Sequence, residues 1–415
     1  MTTFKFLHAA DLHLDSPLLG LTRKSAEFAG VLADASRRAL DNLVKLAIDE
    51  QCRFVVLAGD IFDGDLRDFR SGLHFAKRLR ALRDAGIDVF LVLGNHDAEN
   101  RFVSHLKLGE VAHLFPTRKA ESIAIEDLDV VVHGRSFPRR DVTENFAASY
   151  PAPVEGRFNI GVLHTACQGR EEHHAPYAPC SLEQLVNHGY QYWALGHVHN
   201  RSVLSEDPWI VYPGNLQGRN PRETGPKGAS LVSVADGRVV SVEPRELNAV
   251  RWETIEVDAS GGESREDLIR RLRIDLQPIA ELATQFPTAV RLRITGETAA
   301  HDELMGERDS FSEDVEAALA TLTGDLWLER LDVRTRRPTV AEAVDPSIAG
   351  RLASEISSLR SDPGFAAALE ARIAEIAAKM PASSRPQDLL DRLRLETPDR
   401  SLELALSLLS EREAG

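Results

Sequence analysis

The chain has 415 residues and only three cysteines, Cys52, Cys167 and Cys180, which form neither a CxxC pair nor an even framework. That excludes a disulfide scaffold and makes a reducing cytoplasm the natural setting. Long apolar runs are missing as well. The longest candidates, Phe54–Ala58 and Val89–Leu93, are strand-sized, far short of the ~20 residues a membrane span needs. The opening MTTFKFLHAADLH turns polar at once, without the core of a signal peptide. Basic charge is also scarce, with a formal net charge of −15. The imbalance is uneven, however. Residues 1–245 hold 28 Lys and Arg against 31 Asp and Glu (net −3), and residues 246–415 hold 21 against 33 (net −12). Net charge therefore does not exclude a nucleic-acid partner for the first part. No basic stripe interleaved with aromatics, of the single-strand-binding kind, is present.

What is present is a globular composition, 43% hydrophobic and 27% charged, at a length that suits two or three domains. Over residues 1–245, apolar runs of strand length alternate with helical patterns. Strands are expected at Phe4–Leu7, Phe54–Ala58, Val89–Leu93, Val130–His133, Phe158–Leu163, Tyr192–Leu195, Ile210–Tyr212, Ala229–Val234 and Val239–Val242. Ala35–Glu50 and Phe69–Ala85 have helical spacing. Helices separate only some strands, which predicts two packed mixed sheets flanked by helices. Residues 246–338 read as a small βαβαβ cap or substrate-binding domain, with strands at Trp252–Val257, Val290–Ile294 and Trp327–Val333. Helices are expected near Ser264–Ala283 and Ser312–Leu322, and Ser264 with Asp267 resembles a capping box. Residues 339–415 read as a helical region punctuated by Asp345-Pro346, Asp362-Pro363 and Thr397-Pro398. Leu369, Ile373, Ile376 and Met380 line one helix face there, and Leu402, Ala405, Leu406 and Leu409 another. Self-packing accounts for any single helix, and together they could form an arm that docks a partner.

Seven candidate metal ligands close five of the apolar runs: Asp11 and His13 in DLH, Asp60 in GDIFD, Asn95 in GNHD, His164 in LHT, and His197 and His199 in GHVH. Phosphodiester cleavage needs an activated water, neutralised phosphoryl charge and help for the leaving oxygen. Two divalent cations about 3.5–4 Å apart supply the first two. An anionic bridge must hold them, and Asp60, after Gly59 lets the backbone turn, is the candidate. Asp11, His13 and His199 are assigned to one metal with Asp60, and Asn95, His164 and His197 to the other. The one-residue skips in DLH and GHVH place both side chains on one side of an extended segment. Carboxylate, amide and imidazole donors without thiolate suit Mn²⁺ first, with Fe²⁺, Zn²⁺ or Mg²⁺ as alternatives. His96 is the candidate acid or phosphoryl-charge stabiliser, with Asp97 to orient its ring.

A lone HxH or GNHD carries little weight, but five motifs in one order, each after a strand, do. Among the other histidines, His8, His105, His113 and His188 read as packing, helix or loop residues; His133 ends a strand that could carry it to the site and is left out; His173-His174 reads as a solvated loop ahead of a substrate contact. Asp15 and Asp63 read as turn or supporting residues, and Cys167 has no base beside it. The Gly- and Pro-rich segment Tyr212–Gly228 carries Arg219, Arg222 and Lys227. It is equally a phosphate-gripping loop, with Arg219 and Arg222 as substrate contacts, and a solvated turn. The basic run Lys77–Arg83 reads as an exposed helix face.

DLH, GDIFD, GNHD, LHT and GHVH, in this order, resemble the calcineurin-like metallophosphoesterase superfamily. HAADLHLDSPL, YWALGHVH and YPGNLQGRNPRETGPKG narrow this to a resemblance to the SbcD/YhaO-type DNA-repair exonucleases, over about residues 4–245. The resemblance implies an α/β fold, a four-layer αββα sandwich with a dinuclear, usually Mn²⁺-dependent centre, and carries the seven ligands and His96 over at the positions named. It implies DNA as substrate and a separate SMC-like coiled-coil ATPase as partner, since nothing here resembles a P-loop, and it leaves room for a homodimer. The same metals serve other phosphoesters, so a small-molecule phosphatase or nucleotide pyrophosphohydrolase is the alternative reading.

Overall fold

Alternating side-chain direction along five buried strands decides how this chain is layered. The structure, a computed structural model, describes residues 3–14, 16, 26–63, 69–100, 108–167, 177–322 and 325–338, with 351, 354–355, 358 and 362–379. Asp15, His105, His173, His174, Met380 and the tail positions at Asp345-Pro346, Thr397-Pro398 and Leu402–Leu409 lie outside these residues.

The first sheet runs in the order β12 (Arg238–Glu246), β11 (Gly228–Ala235), β1 (Thr3–Ala9), β2 (Phe54–Ala58), β3 (Asp88–Val92), β4 (His113–Leu114). The second runs β5 (Glu121–Ile125), β6 (Val130–Gly134), β7 (Phe158–His164), β8 (Tyr192–Gly196), β10 (Trp209–Tyr212), β9 (Ser202–Glu206). Both are mixed: β1 to β4 are parallel, as are β6, β7, β8 and β10, while β11, β12, β5 and β9 run antiparallel to their neighbours. The central strands are buried along their whole length, as parallel strands covered on both faces are.

Period two sorts their residues. Leu7, Ala9, Val55, Leu57, Val89 and Leu91 face α2 (Ala35–Asp49) and α3 (Phe69–Asp84), meeting Leu40, Leu43, Val44 and Ala47. Phe4, Phe6, Phe54, Val56, Phe90 and Val92 point the other way, into the second sheet. The few aromatics concentrate there. Phe6 stacks on Phe54 at 4.9 Å, and Tyr192 meets Phe6 edge-on at 5.3 Å. On the far side of the second sheet, Leu163, Trp193 and Leu195 pack on Leu185 of the short helix α4 (Leu182–Val186) and on Phe137, Phe146 and Tyr150. The result is the expected α/β sandwich. Edge strands β4, β5 and β9 were not legible in the sequence, because their exposed residues break the apolar pattern.

A third, all-parallel sheet follows: β13 (Arg251–Asp258), β14 (Thr288–Glu297) and β15 (Leu326–Arg336). Ser264 caps its first helix, accepting from Asp267 N at 3.2 Å. The single helix expected over Ser264–Ala283 is two, α5 (Arg265–Asp275) and α6 (Gln277–Ala283). Pro278 lacks the N–H that a continuous helix would need at that point. An unforeseen short helix, α7 (His301–Gly306), precedes α8 (Arg308–Leu322). The other face of this sheet meets α1 (Ala26–Ala33), where Phe28 stacks on Trp327 at 4.7 Å beside Trp252.

Contacts divide the chain into two compact units, 1–337 and 338–415. Within the second, α9 (Pro363–Lys379) starts at the expected proline, with Asp362 accepting from Phe365 N at 3.1 Å. Ile373 of α9 is buried and Leu369 half-buried.

Candidate metal centre

The loops at the C-terminal ends of β1 and β2, and those after β7 and β8, are laced in pairs by backbone bonds, while the carboxylates of Asp60 and Asp11 take backbone N–H groups from the loops after β3 and β8. Asp11 N donates to Gly59 O (3.0 Å), His13 N to Asp60 O (3.0 Å) and Thr165 N to Gly196 O (3.1 Å). This lacing requires unusual backbone. Asp11, His13, Asp60 and His197 have φ of +52°, +42°, +52° and +102°. Left-handed conformations cost non-glycine residues roughly 1–2 kcal/mol each. The DLH and GHVH segments are therefore not extended, and the i, i+2 argument is corrected: left-handed turns, not strand alternation, aim these side chains. Gly59, at φ +91°, opens the turn as expected. Gly94 is required by proximity, since a Cβ there would lie 2.2 Å from Asp60 Oδ1.

The side chains converge. Asp11, His13 and His199 form one cluster of donor atoms, Asp60, His164 and His197 a second, and His13 and Asp60 also gather with His96. His13 Nε2 faces His199 Nε2 at 3.2 Å and lies 3.8 Å from Asp60 Oδ2, while His164 Nε2 lies 3.4 Å from Asp60 Oδ2 and 2.9 Å from Asn95 Oδ1. Asp60 thus stands between the two clusters. All seven are buried or nearly so. Facing imidazole nitrogens beside buried carboxylates, with an amide oxygen at hand, form a mixed N and O donor set that fits a divalent cation.

The electrostatics follow from burial. It pushes the Asp11 carboxyl up to about 6, partly offset by the neighbouring histidines, and holds His13 well below its ordinary value. Burial opposes charge on Asp60 and His164 too. Their mutual attraction outweighs it, keeping Asp60 well below the carboxylate range and lifting His164 to about 9.

His96 has its backbone N–H on Asp60 Oδ1 (3.0 Å), and its ring is edge-on to His13 at 5.0 Å. The expectation that Asp97 orients the ring is corrected. The Asp97 carboxylate accepts backbone N–H groups of Ile61 (3.1 Å), Phe62 (2.9 Å) and Gly94 (3.0 Å), which ties the β2 loop to the β3 loop. Asp63 meets His96 instead, Oδ1 to Nδ1 at 3.0 Å, and takes a bond from Ser16 at 2.7 Å. That bond raises His96 above its ordinary value; Asp63 falls well below its own, despite burial. The spacing of GDIFD, with its second Asp three residues after the first, held this signal.

The loop after β10 divides. Arg219 turns inward, Nη1 3.6 Å from Asp63 Oδ2 and Nη2 3.5 Å from His199 Nδ1, and its buried Nε has no hydrogen-bond partner. Arg222 is exposed, its backbone N–H on Asn220, so the structure does not bring it to the cluster. Lys227 is buried, donating to His199 O and Asn200 Oδ1 at 3.2 Å each. Glu223, which sequence reasoning missed, bonds His199 Nδ1 at 2.9 Å. Burial would raise its carboxyl, but its bonds to His199 and to Arg219 bring it to about 2.

Four other described histidines are structural. His8 sits between the sheets on Tyr192 OH (3.0 Å) and Leu195 O (3.1 Å), and burial lowers it to about 3. His133 bonds Ser122 and Asn159 under Tyr190, and His188 packs on Tyr190 and Trp193. His113 stacks on Phe90 at 4.9 Å. Cys52, Cys167 and Cys180 are buried and form no disulfide, and no helix among the described residues is long and apolar enough to cross a membrane.

The calcineurin-like phosphoesterase family matches residues 4–201, and the family described as the metallophosphoesterase YhaO middle domain matches residues 252–336. The chain is similar to the uncharacterized metallophosphoesterase YhaO of Bacillus subtilis, at 33% identity over 358 residues, 84% of this chain and 86% of that protein. It is also similar to DNA double-strand break repair proteins Mre11. That of Methanopyrus kandleri is 27% identical, over 65% of this chain and 62% of its own. That of Aeropyrum pernix is 27% identical, over 64% and 66%. A 33%-identical relative over most of both chains settles the ancestry of the site: the chain belongs to the calcineurin-like metallophosphoesterases, hydrolases acting on phosphoester bonds.

Proposed function

We propose that this protein is a metal-dependent DNA exonuclease acting in repair. The observation that carries the reading is the pairing of two donor clusters across Asp60, with the His96–Asp63 pair beside them. The DNA substrate is supported by the Mre11 relatives, which are DNA double-strand break repair proteins.

In this reading Asp11, His13 and His199 would hold one divalent cation and Asn95, His164 and His197 the other, with Asp60 between the two sets. Mn²⁺ fits the mixed oxygen and imidazole donors best. When bound, such cations would neutralise phosphoryl charge and lower the pKa of water toward about 7. His96, held protonated by Asp63 on Nδ1, keeps Nε2 for the leaving oxygen and donates its proton there. Arg219 binds a non-bridging phosphate oxygen with the donors it has spare. Arg222, exposed on the same loop, is left to contact the strand further out. Asp97 holds the β2 and β3 loops in register and does not touch substrate.

The proposal extends to organisation. Residues 1–245 are the nuclease domain, 246–338 the cap that bears on DNA, and 339–415 the helical arm that docks a separate SMC-like ATPase, in a cytoplasmic assembly that includes a homodimer. The test is cleavage of end-labelled DNA with Mn²⁺ against EDTA, beside bis-p-nitrophenyl phosphate. Mn²⁺-dependent shortening from the ends, abolished in Asp60→Asn while DNA binding survives, supports it. Hydrolysis of the small ester alone, with or without an added ATPase, refutes the DNA substrate in favour of small phosphoesters.

A further inference from the structure

Residues 213–227 form a closed loop whose centre is one carboxylate. Glu223 Oε1 accepts from His199 Nδ1 at 2.9 Å, and Oε2 accepts from Asn215 Nδ2 and from Arg219 N, both at 2.7 Å. Arg219 Nε lies 3.6 Å from Oε1, so the same carboxylate also faces the guanidinium. Glu223 is 12% exposed, and it needs all of these donors to sit there.

The loop is itself braced. Asn215 N and Lys227 Nζ both donate to His199 O, at 3.1 and 3.2 Å. Gln217 spans Ala249 N and Val250 O at 2.8 Å each, and Trp252 Nε1 donates to Gly218 O at 2.9 Å. The start of the third sheet thus holds the loop, and the loop holds Glu223 against His199.

A carboxylate only accepts, and Glu223 at 2.9 Å is much nearer to His199 Nδ1 than the Arg219 donor at 3.5 Å, so Nδ1 carries the ring proton and Nε2 is left as a lone pair. Nε2 points into the cluster with Asp11 and His13. We propose that Glu223 is the positioning residue of this centre: it fixes the His199 tautomer that can ligate a metal and, through Arg219, sets the phosphate-binding arm beside it. The inference rests on the dinuclear reading of the site.

Glu223→Gln isolates this role at nearly constant shape. The amide oxygen is best placed on Asn215 and Arg219, where it keeps two bonds. Its NH₂ then faces His199 Nδ1 and drives the ring to the Nε2-protonated tautomer, which cannot ligate. Carboxylate partners of ligating histidines are worth 10- to 100-fold in metal affinity.

The test is Mn²⁺ titration calorimetry on the full chain, with long-range ¹⁵N NMR of the imidazoles without metal. Wild type is expected to bind two Mn²⁺ with His199 protonated at Nδ1. Glu223→Gln is expected to keep its melting temperature, lose 10- to 100-fold at one site only and shift the His199 tautomer. Arg219→Ala is expected to bind both ions normally and to raise KM for bis-p-nitrophenyl phosphate. Two sites of unchanged affinity in Glu223→Gln overturn the proposal. So does an Nε2-protonated His199 in wild type, which needs no variant to fold. A wild type that binds no Mn²⁺ overturns the dinuclear reading instead, a distinguishable result.

Discussion

Replacing Asp63 with Asn tests the proton-donor assignment through its pH dependence. Asp63 Oδ1 lies 3.0 Å from His96 Nδ1, and this bond is the largest cause that raises His96 above its ordinary value. A hydrogen bond to a charged group contributes about 1.5–3 kcal/mol, and one pKa unit is about 1.4 kcal/mol. The ring is 27% exposed, so solvent screening selects the lower end, about 1.5 kcal/mol or about tenfold. An acid must be protonated to act, so activity falls on the alkaline side as His96 loses its proton. In Asp63→Asn that limb moves to lower pH. The wild-type to variant ratio of kcat then grows to about tenfold at alkaline pH and shrinks toward unity at the acidic end. The assay is hydrolysis of bis-p-nitrophenyl phosphate at saturating Mn²⁺ from pH 5.5 to 9.5. Parallel profiles, with the same deficit at every pH, refute the reasoning.

Three further outcomes are expected. Asp97→Asn replaces an acceptor of three N–H groups by an amide that must turn its NH₂ toward at least one of them, at about 1–3 kcal/mol per donor left unpaired; thermal melting should drop by several degrees while the alkaline limb stays in place. Gly94→Ala puts a methyl group 2.2 Å from Asp60 Oδ1 and 2.7 Å from Asp60 N, so backbone must shift and the variant is expected to melt lower and to lose at least one Mn²⁺ site by titration calorimetry. His164 is raised to about 9 without metal, above the 6.5 of an unfolded histidine, so its contribution to metal-free stability is full below pH 6.5 and is lost as pH rises through 9. Mn²⁺ must displace that proton, so affinity rises with pH between 6.5 and 9, with proton release visible as a buffer-dependent calorimetric enthalpy.

The gathering of the candidate donors was legible because each follows a run of buried strand, and strand runs such as Phe54–Ala58 survive in the sequence as unbroken apolar segments. What aims the donors was not. Left-handed φ at Asp11 and His13 has no apolar pattern to announce it, and neither residue type is a glycine. Asp63 and Asp97 are both acids near His96, and sequence proximity favoured Asp97. The fold chose otherwise, because three backbone N–H groups converge where Asp97 sits. Glu223 escaped notice for a related reason. It lies 24 residues from His199, and only the closed loop brings them to 2.9 Å. The division of the helix at Leu276 was written in Pro278, and the amphipathic spacing on either side masked it.

The central claim is a dinuclear centre bridged by Asp60, and anomalous scattering from Mn²⁺-soaked crystals tests it most directly. The account requires two peaks about 3.5–4 Å apart, both in contact with Asp60. One lies among Asp11, His13 and His199 and the other among Asn95, His164 and His197, with His96 bound to neither. A single peak, or a peak ligated by His96, contradicts it.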